Sequence, residues 1–468
     1  MRKKHNWCKR ILMSVWLAAF LSQLVLAVCW AVQNWNCVQE FYGTKIYIDG
    51  IINRTTDGWH LPGYSVLLFV IRKFFGFVKA EYIPGVYMFQ VLFSLFCFTE
   101  GLRSLVKAWT GRHLSYLYAV LAGLYVLTLP TIWQMQFALL PDAMCLAATC
   151  ILAVKLLEMI RDPLKFRWDC LYVVAGVLLL TGTYERHYFY GCLVLTICFG
   201  FAAVISKIKT FKGLKKEWKT AVFLPAVIVI VTFATMLYPR AIGIAGPYPS
   251  YSITADFMRR TVVPYVTETS KDANGEWSAY ITPELVKAHE DSEIGFYTVI
   301  LPSIEQRTAP AQDSVYADLI LYSMKRNGAD ILSRFVKETA GYLVSPFSNV
   351  KYIYAAGNSH YGYNFSRMWL QVPKLTGMYM RVGAIGFALV VTTGIACAIF
   401  LSIKDKKYFK NLLRTLLLSL SAIVCITVPL ALFATRMYDY RLSLFAQCVW
   451  VTPILFGMFQ GFAKVEKK

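Results

Sequence analysis

Carboxylates, arginines and a histidine occur in short polar stretches that interrupt the long apolar runs of this chain. Carboxylate and imidazole groups can transfer protons, and arginine side chains bind anions such as phosphate through charge-assisted hydrogen bonds. Ionisable residues at the ends of membrane helices are functional candidates by default. The candidates fall in four stretches: Glu40, Asp49, Asp57 and His60; Pro141 and Asp142; Tyr184, Glu185, Arg186 and His187; and Arg436, Tyr438, Asp439, Tyr440 and Arg441.

Each candidate also has a purely structural interpretation. Glu40 and Asp49 could be solvated loop carboxylates, and His60 a hydrogen-bonded structural histidine. Asp142 follows a proline and could simply be a helix N-terminal residue that the helix dipole favours. The arginines of the last stretch could be anchors at the membrane interface.

The sequence offers no metal-binding pattern. The 6 histidines are scattered, and the 12 cysteines include no Cys-X-X-Cys pair, whereas metal sites usually combine such residues at short spacings. We therefore predict no cofactor, although a divalent cation remains compatible with the carboxylates.

The composition predicts the elements that must position these residues. Hydrophobic residues make up 57% of the 468, and charged residues only 16%, against about a quarter in soluble domains. Apolar runs of about 20 residues recur, which is the length that crosses a bilayer as a helix. They lack the alternation of barrel strands. The sequence therefore predicts an all-α polytopic membrane protein.

Basic clusters between the apolar runs orient the predicted helices. The net charge of +21 does not indicate nucleic-acid binding, because the basic residues are distributed as in cytoplasmic loops. The clusters lie at 2–10, 103–112, 161–167, 207–219, 404–410 and 464–468. If all are cytoplasmic, about ten transmembrane helices follow, with both termini inside. They are predicted at 11–32, 84–103, 114–132, 141–160, 169–185, 188–206, 220–238, 376–402, 412–433 and 442–462.

One further apolar run, at 61–78, is predicted to lie along the outer interface. It contains Arg72 and Lys73 near its middle, which are costly in hydrocarbon. Counting it as a span would also place every later basic cluster outside. An amphipathic helix at the membrane surface fits both observations.

Three regions follow from this arrangement. Residues 1–240 form an N-terminal transmembrane module with a first external loop that carries chemistry. Residues 241–375 form a large extracytoplasmic segment with helical patches that separate near Asn327 and Gly328. In the second patch, apolar residues including Leu332 and Phe335 are expected to pack against the membrane domain. Residues 376–468 form the C-terminal transmembrane helices.

Ordered motifs give the chain a resemblance to the GT-C superfamily of membrane glycosyltransferases, in particular to the protein O-mannosyltransferase and aminoarabinose transferase group. After the first span and its acidic loop, the residues from His60 through Pro62 to Tyr64 resemble the HxPxY-type juxtamembrane helix of that family. The remaining pieces are Leu140-Pro141-Asp142-Ala143, similar to an acidic residue that opens a span; Leu180-Thr181 through Arg186, similar to a leucine-rich LTR segment; and Arg436 through Arg441, similar to the RY pair before the last span.

The resemblance implies a glycosyltransferase that takes a sugar from a polyprenyl-phosphate donor. The acceptor would be a glycan, lipid or protein at the extracytoplasmic face, and membrane lipids would surround the enzyme. The resemblance further implies three groups of site residues: Glu40, Asp49 and Asp142 as catalytic residues; Arg186, Arg436 and Arg441 at the donor phosphate; and His60, Tyr64 and Tyr438 at the substrate.

The general base remains open between two carboxylates. The family usually presents an Asp soon after the first span, and here none precedes Asp49. Glu40 is better placed by its distance from the span, whereas Asp49 is unexpectedly close to Pro62. If neither residue acts as base, the protein is a non-catalytic relative. A transporter or flippase of a lipid-linked saccharide is the alternative function, and a membrane scaffold or polymerase subunit is a third.

Overall fold

A computed structural model describes eleven stretches of the chain. These are residues 2–34, 47–48, 50, 63–78, 82–110, 114–141, 143–145, 147–148, 150–151, 312–344 and 373–404. The regular elements within them are α-helices. We number these α1 (Arg2–Asn34), α2 (Gly63–Phe77), α3 (Tyr82–Thr110), α4 (Tyr116–Leu127), α5 (Pro130–Gln136), α6 (Gln312–Val344) and α7 (Pro373–Lys404).

Three of these helices are long and apolar enough to cross a membrane. The apolar segments run over Arg10–Gln33 in α1, Tyr82–Ser104 in α3 and Lys374–Gly394 in α7. They confirm three of the predicted helices. The part of the chain that the structure describes is therefore typical of a helical membrane protein. The predicted spans at 169–185, 188–206, 220–238, 412–433 and 442–462 lie outside the described residues.

The predicted span at 114–132 is not one continuous helix. α4 ends at Leu127, the backbone turns at Thr128 and Leu129, and α5 begins at Pro130. Pro130 has no backbone N–H, so it cannot continue the hydrogen-bond ladder of α4. The Leu129 N–H donates to the Val126 carbonyl at 3.1 Å instead, which tightens the last turn. The prediction missed this break because it followed the apolar run through Pro130 to Ile132.

Two other helices satisfy the backbone groups that the break exposes. Gln23 of α1 donates through Nε2 to the Tyr125 carbonyl at 3.0 Å and to Thr128 Oγ1 at 3.0 Å. Tyr379 of α7 donates its hydroxyl hydrogen to the Thr128 carbonyl. Irregular backbone at membrane depth is tolerated only where protein buries it or a cavity adjoins it. Here Thr128 and Leu129 are buried, so the break is an integral part of the helix packing.

α1 and α7 pack closely in opposite directions. Ala19 lies opposite Gly386, where an added Cβ would come within 3.2 Å of the alanine Cβ. Eleven residues later along α1, Trp30 donates through Nε1 to Thr376 Oγ1 at 3.1 Å. Small residues let helix backbones approach in a membrane, and interhelical hydrogen bonds add to the packing. α1 and α7 therefore form a closely packed antiparallel pair.

A glycine of α7 makes this packing testable. A Cβ at Gly383 would overlap the Pro130 ring, whose Cδ would lie 2.7 Å away. Since a proline ring cannot rotate aside, we expect Gly383→Ala to lower the free energy of unfolding by about 1–3 kcal/mol through overpacking. The measurement is the thermal unfolding midpoint of the purified protein in detergent.

Gly377 of the same helix provides the matched control. A Cβ at Gly377 would meet nothing within 4 Å, and alanine is the better helix former by up to about 1 kcal/mol. Gly377→Ala should therefore leave the midpoint unchanged or raise it. Equal midpoints for the two alanine variants would contradict the contact between α7 and Pro130.

α6 confirms the predicted division of its region near Asn327. Asn327 has non-helical backbone angles, with φ −111° and ψ 15°, between two helical halves. Phe335 packs against the hydrophobic core of the membrane helices, as expected. Leu332 instead is 61% exposed, so the expectation that it packs on the membrane domain was wrong. Both residues lie on the second half of α6, and among its described side chains, at 328–337, exposed residues alternate with partly buried ones.

Candidate functional site

Of the nine site residues that the resemblance implies, the structure describes Tyr64. It lies in the first turn of α2 and is fully buried. The other eight lie outside the described residues: Glu40, Asp49, His60, Asp142, Arg186, Arg436, Tyr438 and Arg441. The structure does describe the residues immediately before and after Asp49 and Asp142. The backbone on either side of these two candidate carboxylates is therefore located.

Tyr64 begins a chain of buried polar contacts that leads into the membrane helices. Its hydroxyl donates to Oε1 of Gln90 at 2.9 Å. Gln90 lies eight residues after the start of α3, about 12 Å along the helix axis, and is completely buried. A buried phenol and a buried amide each need a partner, so this hydrogen bond fixes α2 against α3.

The other end of the Gln90 side chain holds the segment that precedes Asp142. Nε2 donates to the carbonyl of Gln136 at 2.7 Å and to that of Ala138 at 3.0 Å. These carbonyls lie at and just after the C-terminus of α5, where a helix has no internal donors for them. One side chain therefore joins α2, α3 and the turn after α5.

A second contact lies one helical turn further along α3. Ser94 donates through Oγ to Oε1 of Gln136 at 3.1 Å, and both side chains are buried. Among the residues that the structure describes, Nε2 of Gln136 has no hydrogen-bond partner. We call Tyr64, Gln90, Ser94 and Gln136 the polar network.

The residues just before Asp49 pack on the same part of α2. The Tyr47 ring meets the Tyr64 ring edge-on, with centroids 5.0 Å apart and planes at 77°. Ser65 donates through Oγ to the Tyr47 carbonyl at 2.9 Å. Tyr47 is only 2% exposed. The loop that follows α1 is thus attached to α2 within two residues of a candidate base.

The turn that leads to Asp142 is held by aromatic packing. Phe137 is buried among Trp30, Tyr87 and Trp133, with ring centroids 5.3–5.4 Å apart. The chain then remains buried to Pro141, whose carbonyl accepts the Cys145 N–H at 2.9 Å. This hydrogen bond spans four residues, as in an α-helix, and residues 143–145 are helical, near the start of the predicted span at 141–160.

The polar network brings together the segments that flank two of the three predicted catalytic carboxylates. Tyr47 precedes Asp49, and the network's carbonyls at Gln136 and Ala138 precede Asp142. The network itself consists of neutral hydroxyl and amide groups, which position backbone and do not transfer protons at neutral pH. Within the described ranges, no group of three His, Cys, Asp or Glu residues could hold a metal ion.

Sequence reasoning missed the amides of this network. Gln90 interrupts a predicted span, and Gln134 and Gln136 follow Pro130 in another apolar run. A polar residue inside a membrane helix usually faces the bundle interior and finds a partner there. That signal was available in the sequence, although it could not identify the partners.

Comparison with known proteins adds no relative to this description. No family model matches the chain, and no curated protein or solved structure matches it.

Proposed function

We propose that this protein is a GT-C-type membrane glycosyltransferase. It would move a sugar from a polyprenyl-phosphate donor to an acceptor at the extracytoplasmic face. The observation that supports this most is the contact of Tyr64 with Gln90 and, through it, with the backbone before Asp142. Two segments that the motifs single out separately, one in the first loop and one before a later span, are neighbours in space.

The proposed architecture has about ten transmembrane helices and both termini in the cytoplasm. The segment at 241–375 would cover the outer end of the bundle and contribute to acceptor recognition. α1, α3 and α7 supply three of the spans. The remaining spans, the GT-C fold and the orientation in the membrane belong to the proposal and follow from the charge pattern.

The proposed roles follow the chemistry of each residue type. Glu40 or Asp49 would accept the proton of the acceptor hydroxyl, since a carboxylate can act as a general base. Asp142 would orient the acceptor or the first loop. The leaving group is a lipid phosphate, whose negative charge requires cations in a partly desolvated site. The cations at the donor phosphate would be Arg186, Arg436 and Arg441. The substrate contacts would be His60 and Tyr438, whereas Tyr64, which is fully buried and bonded to Gln90, would position α2 beside the site.

A flippase for a lipid-linked saccharide is the second candidate, and one structural feature resembles a feature of transporters. The α4–α5 segment is broken at Thr128 and Leu129, and broken helices are a common feature of transporters at the substrate site. In this chain, Gln23 and Tyr379 already occupy the exposed carbonyl groups of the break. This favours a structural role for the break over ion or substrate coordination.

One reconstitution experiment separates the two functions. The full chain in liposomes receives a labelled polyprenyl-phosphate sugar and a panel of acceptors. A glycosyltransferase should consume the donor and release polyprenyl phosphate in proportion to the glycosylated acceptor. If the labelled lipid crosses the bilayer while no donor is consumed, the protein is a flippase.

The donor phosphate gives a quantitative prediction. Arg441→Ala should raise the donor concentration needed for half-maximal transfer by about 10- to 150-fold, because a charge-assisted hydrogen bond contributes about 1.5–3 kcal/mol. Arg441→Lys should restore only part of this, since an ammonium cannot form the bidentate contact of a guanidinium. Transfer kinetics at limiting donor measure both variants. Unchanged kinetics for Arg441→Ala would reduce Arg441 to an interface anchor.

A further inference from the structure

α2 has an exposed face that the membrane core does not cover. Its buried residues Tyr64, Leu68 and Ile71 face α3 and the first loop. The opposite side carries exposed apolar residues, of which Phe74 is 64% and Phe77 is 88% exposed. With 15 residues the helix is too short to cross a bilayer, which takes about 20.

This outward face adjoins a surface that must meet lipid. α2 ends against the start of α3, where Arg72 lies 6.0 Å from the ring centroid of Tyr82 and Phe75 packs on Gly85. α3 is one of the candidate spans. Its own outward residues, including Met88, Phe89, Leu92 and Phe96, are exposed. The exposed face of α2 therefore begins at one end of a candidate membrane-spanning helix, where the lipid headgroups would lie when α3 crosses a bilayer.

A cation lies in the middle of this apolar face. Lys73 is four residues after Phe69 and four before Phe77, so the three residues share one side of the helix. The Lys73 ammonium is 5.5 Å from the centroid of the Phe69 ring. Arg72 is exposed beside it. No carboxylate among the described residues forms a salt bridge with either cation.

From these observations we infer that α2 is a binding site for an anionic phospholipid. The headgroup phosphate would contact Lys73 and Arg72, while the acyl chains would lie against Phe69, Phe74 and Phe77. A zwitterionic lipid carries an ammonium that would repel the basic pair. A second copy of the chain would bring the same two cations to the contact. An anionic lipid neutralises the pair and covers the apolar surface at once. The inference does not depend on the proposed glycosyltransferase activity.

Photo-crosslinking at Phe77 tests this site locally. A benzophenone amino acid at position 77 is placed in the full chain, which is then reconstituted in nanodiscs of equimolar phosphatidylglycerol and phosphatidylcholine. Mass spectrometry of the adducts gives the ratio of the two crosslinked lipids. We expect phosphatidylglycerol to dominate. The ratio of phosphatidylglycerol to phosphatidylcholine adducts should fall about fivefold for Lys73→Gln. It should fall about 30-fold for the double variant that also carries Arg72→Gln, because each basic residue contributes similarly to the attraction of anionic lipid.

A second pair of basic residues that are neighbours in the sequence, on another helix, provides the control. Lys325 and Arg326 are exposed on the polar helix α6, and Lys325→Gln with Arg326→Gln removes the same charge. This variant should leave the ratio unchanged. For the unsubstituted pair, raising the ionic strength should lower the ratio, since salt screens exposed charges.

Three results would overturn the inference. Equal crosslinking of the two lipids is one, and an equal fall of the ratio in the α6 control is another. The third is displacement by polyprenyl phosphate: when this lipid is added at the same abundance as phosphatidylglycerol, it replaces phosphatidylglycerol in the crosslinks at position 77. The face would then be a site for an isoprenoid phosphate.

Discussion

Glu40→Gln or Asp49→Asn should lower the rate of sugar transfer by about 10²- to 10⁴-fold, according to which residue is the general base. The amide keeps the size and much of the hydrogen bonding of the carboxylate, but it cannot accept a proton at neutral pH. Donor binding and folding should remain intact. Steady-state transfer by the purified protein, with donor depletion as readout, measures the effect.

Asp142→Asn is the comparison for this prediction. Asp142 is proposed to orient the acceptor or the first loop, so its amide should reduce transfer less than that of the true base. The contact of Tyr47 with Ser65 and Tyr64 involves no atom of Asp49, so Asp49→Asn leaves this attachment in place. If neither first-loop amide slows a demonstrated transfer reaction, the assignment of the base is wrong.

Gln90→Leu should destabilise the protein by about 2–5 kcal/mol and reduce transfer together with stability. Leucine has a similar size, but it leaves the Tyr64 hydroxyl and the carbonyls of Gln136 and Ala138 without their Gln90 contacts. Side-chain hydrogen bonds within membrane proteins contribute about 0.6–1.7 kcal/mol each, and three are lost here. The thermal midpoint in detergent measures the loss.

An exposed glutamine of α1 provides the matched control. Gln33 lies at the end of the apolar segment of α1 and is exposed, so Gln33→Leu makes the same chemical change without removing a buried contact. Its midpoint should stay near that of the unsubstituted protein. Tyr64→Phe removes one of the three hydrogen bonds. Its thermal midpoint should therefore lie between those of Gln90→Leu and Gln33→Leu. A Gln90→Leu midpoint equal to that of Gln33→Leu would contradict the polar network.

The sequence by itself determined the class of protein and the position of several helices. Apolar length is a local property, so the runs at 11–32 and 84–103 predicted the spans of α1 and α3 to within two residues, and the run at 376–402 predicted the start of the α7 span equally well but ended eight residues beyond it. The helix break at Asn327 followed from a local Asn-Gly pair in the same way. The short helix at 61–78 was recognised from Arg72 and Lys73 within an apolar run. Each of these features depends on neighbours in the chain.

The tertiary structure decided which polar groups meet. Hydrophobic pattern could place Gln23, Gln90 and Tyr379 in helices, but it could not pair them with the carbonyls of Tyr125, Gln136 and Thr128. Those pairings join residues 46 to 251 positions apart, and they depend on how the helices rotate and cross. The break at Thr128 also depends on the packing of distant helices. Pro130 interrupts the ladder locally, whereas the donors that satisfy the exposed carbonyl groups come from two distant helices, which only the packed structure brings there.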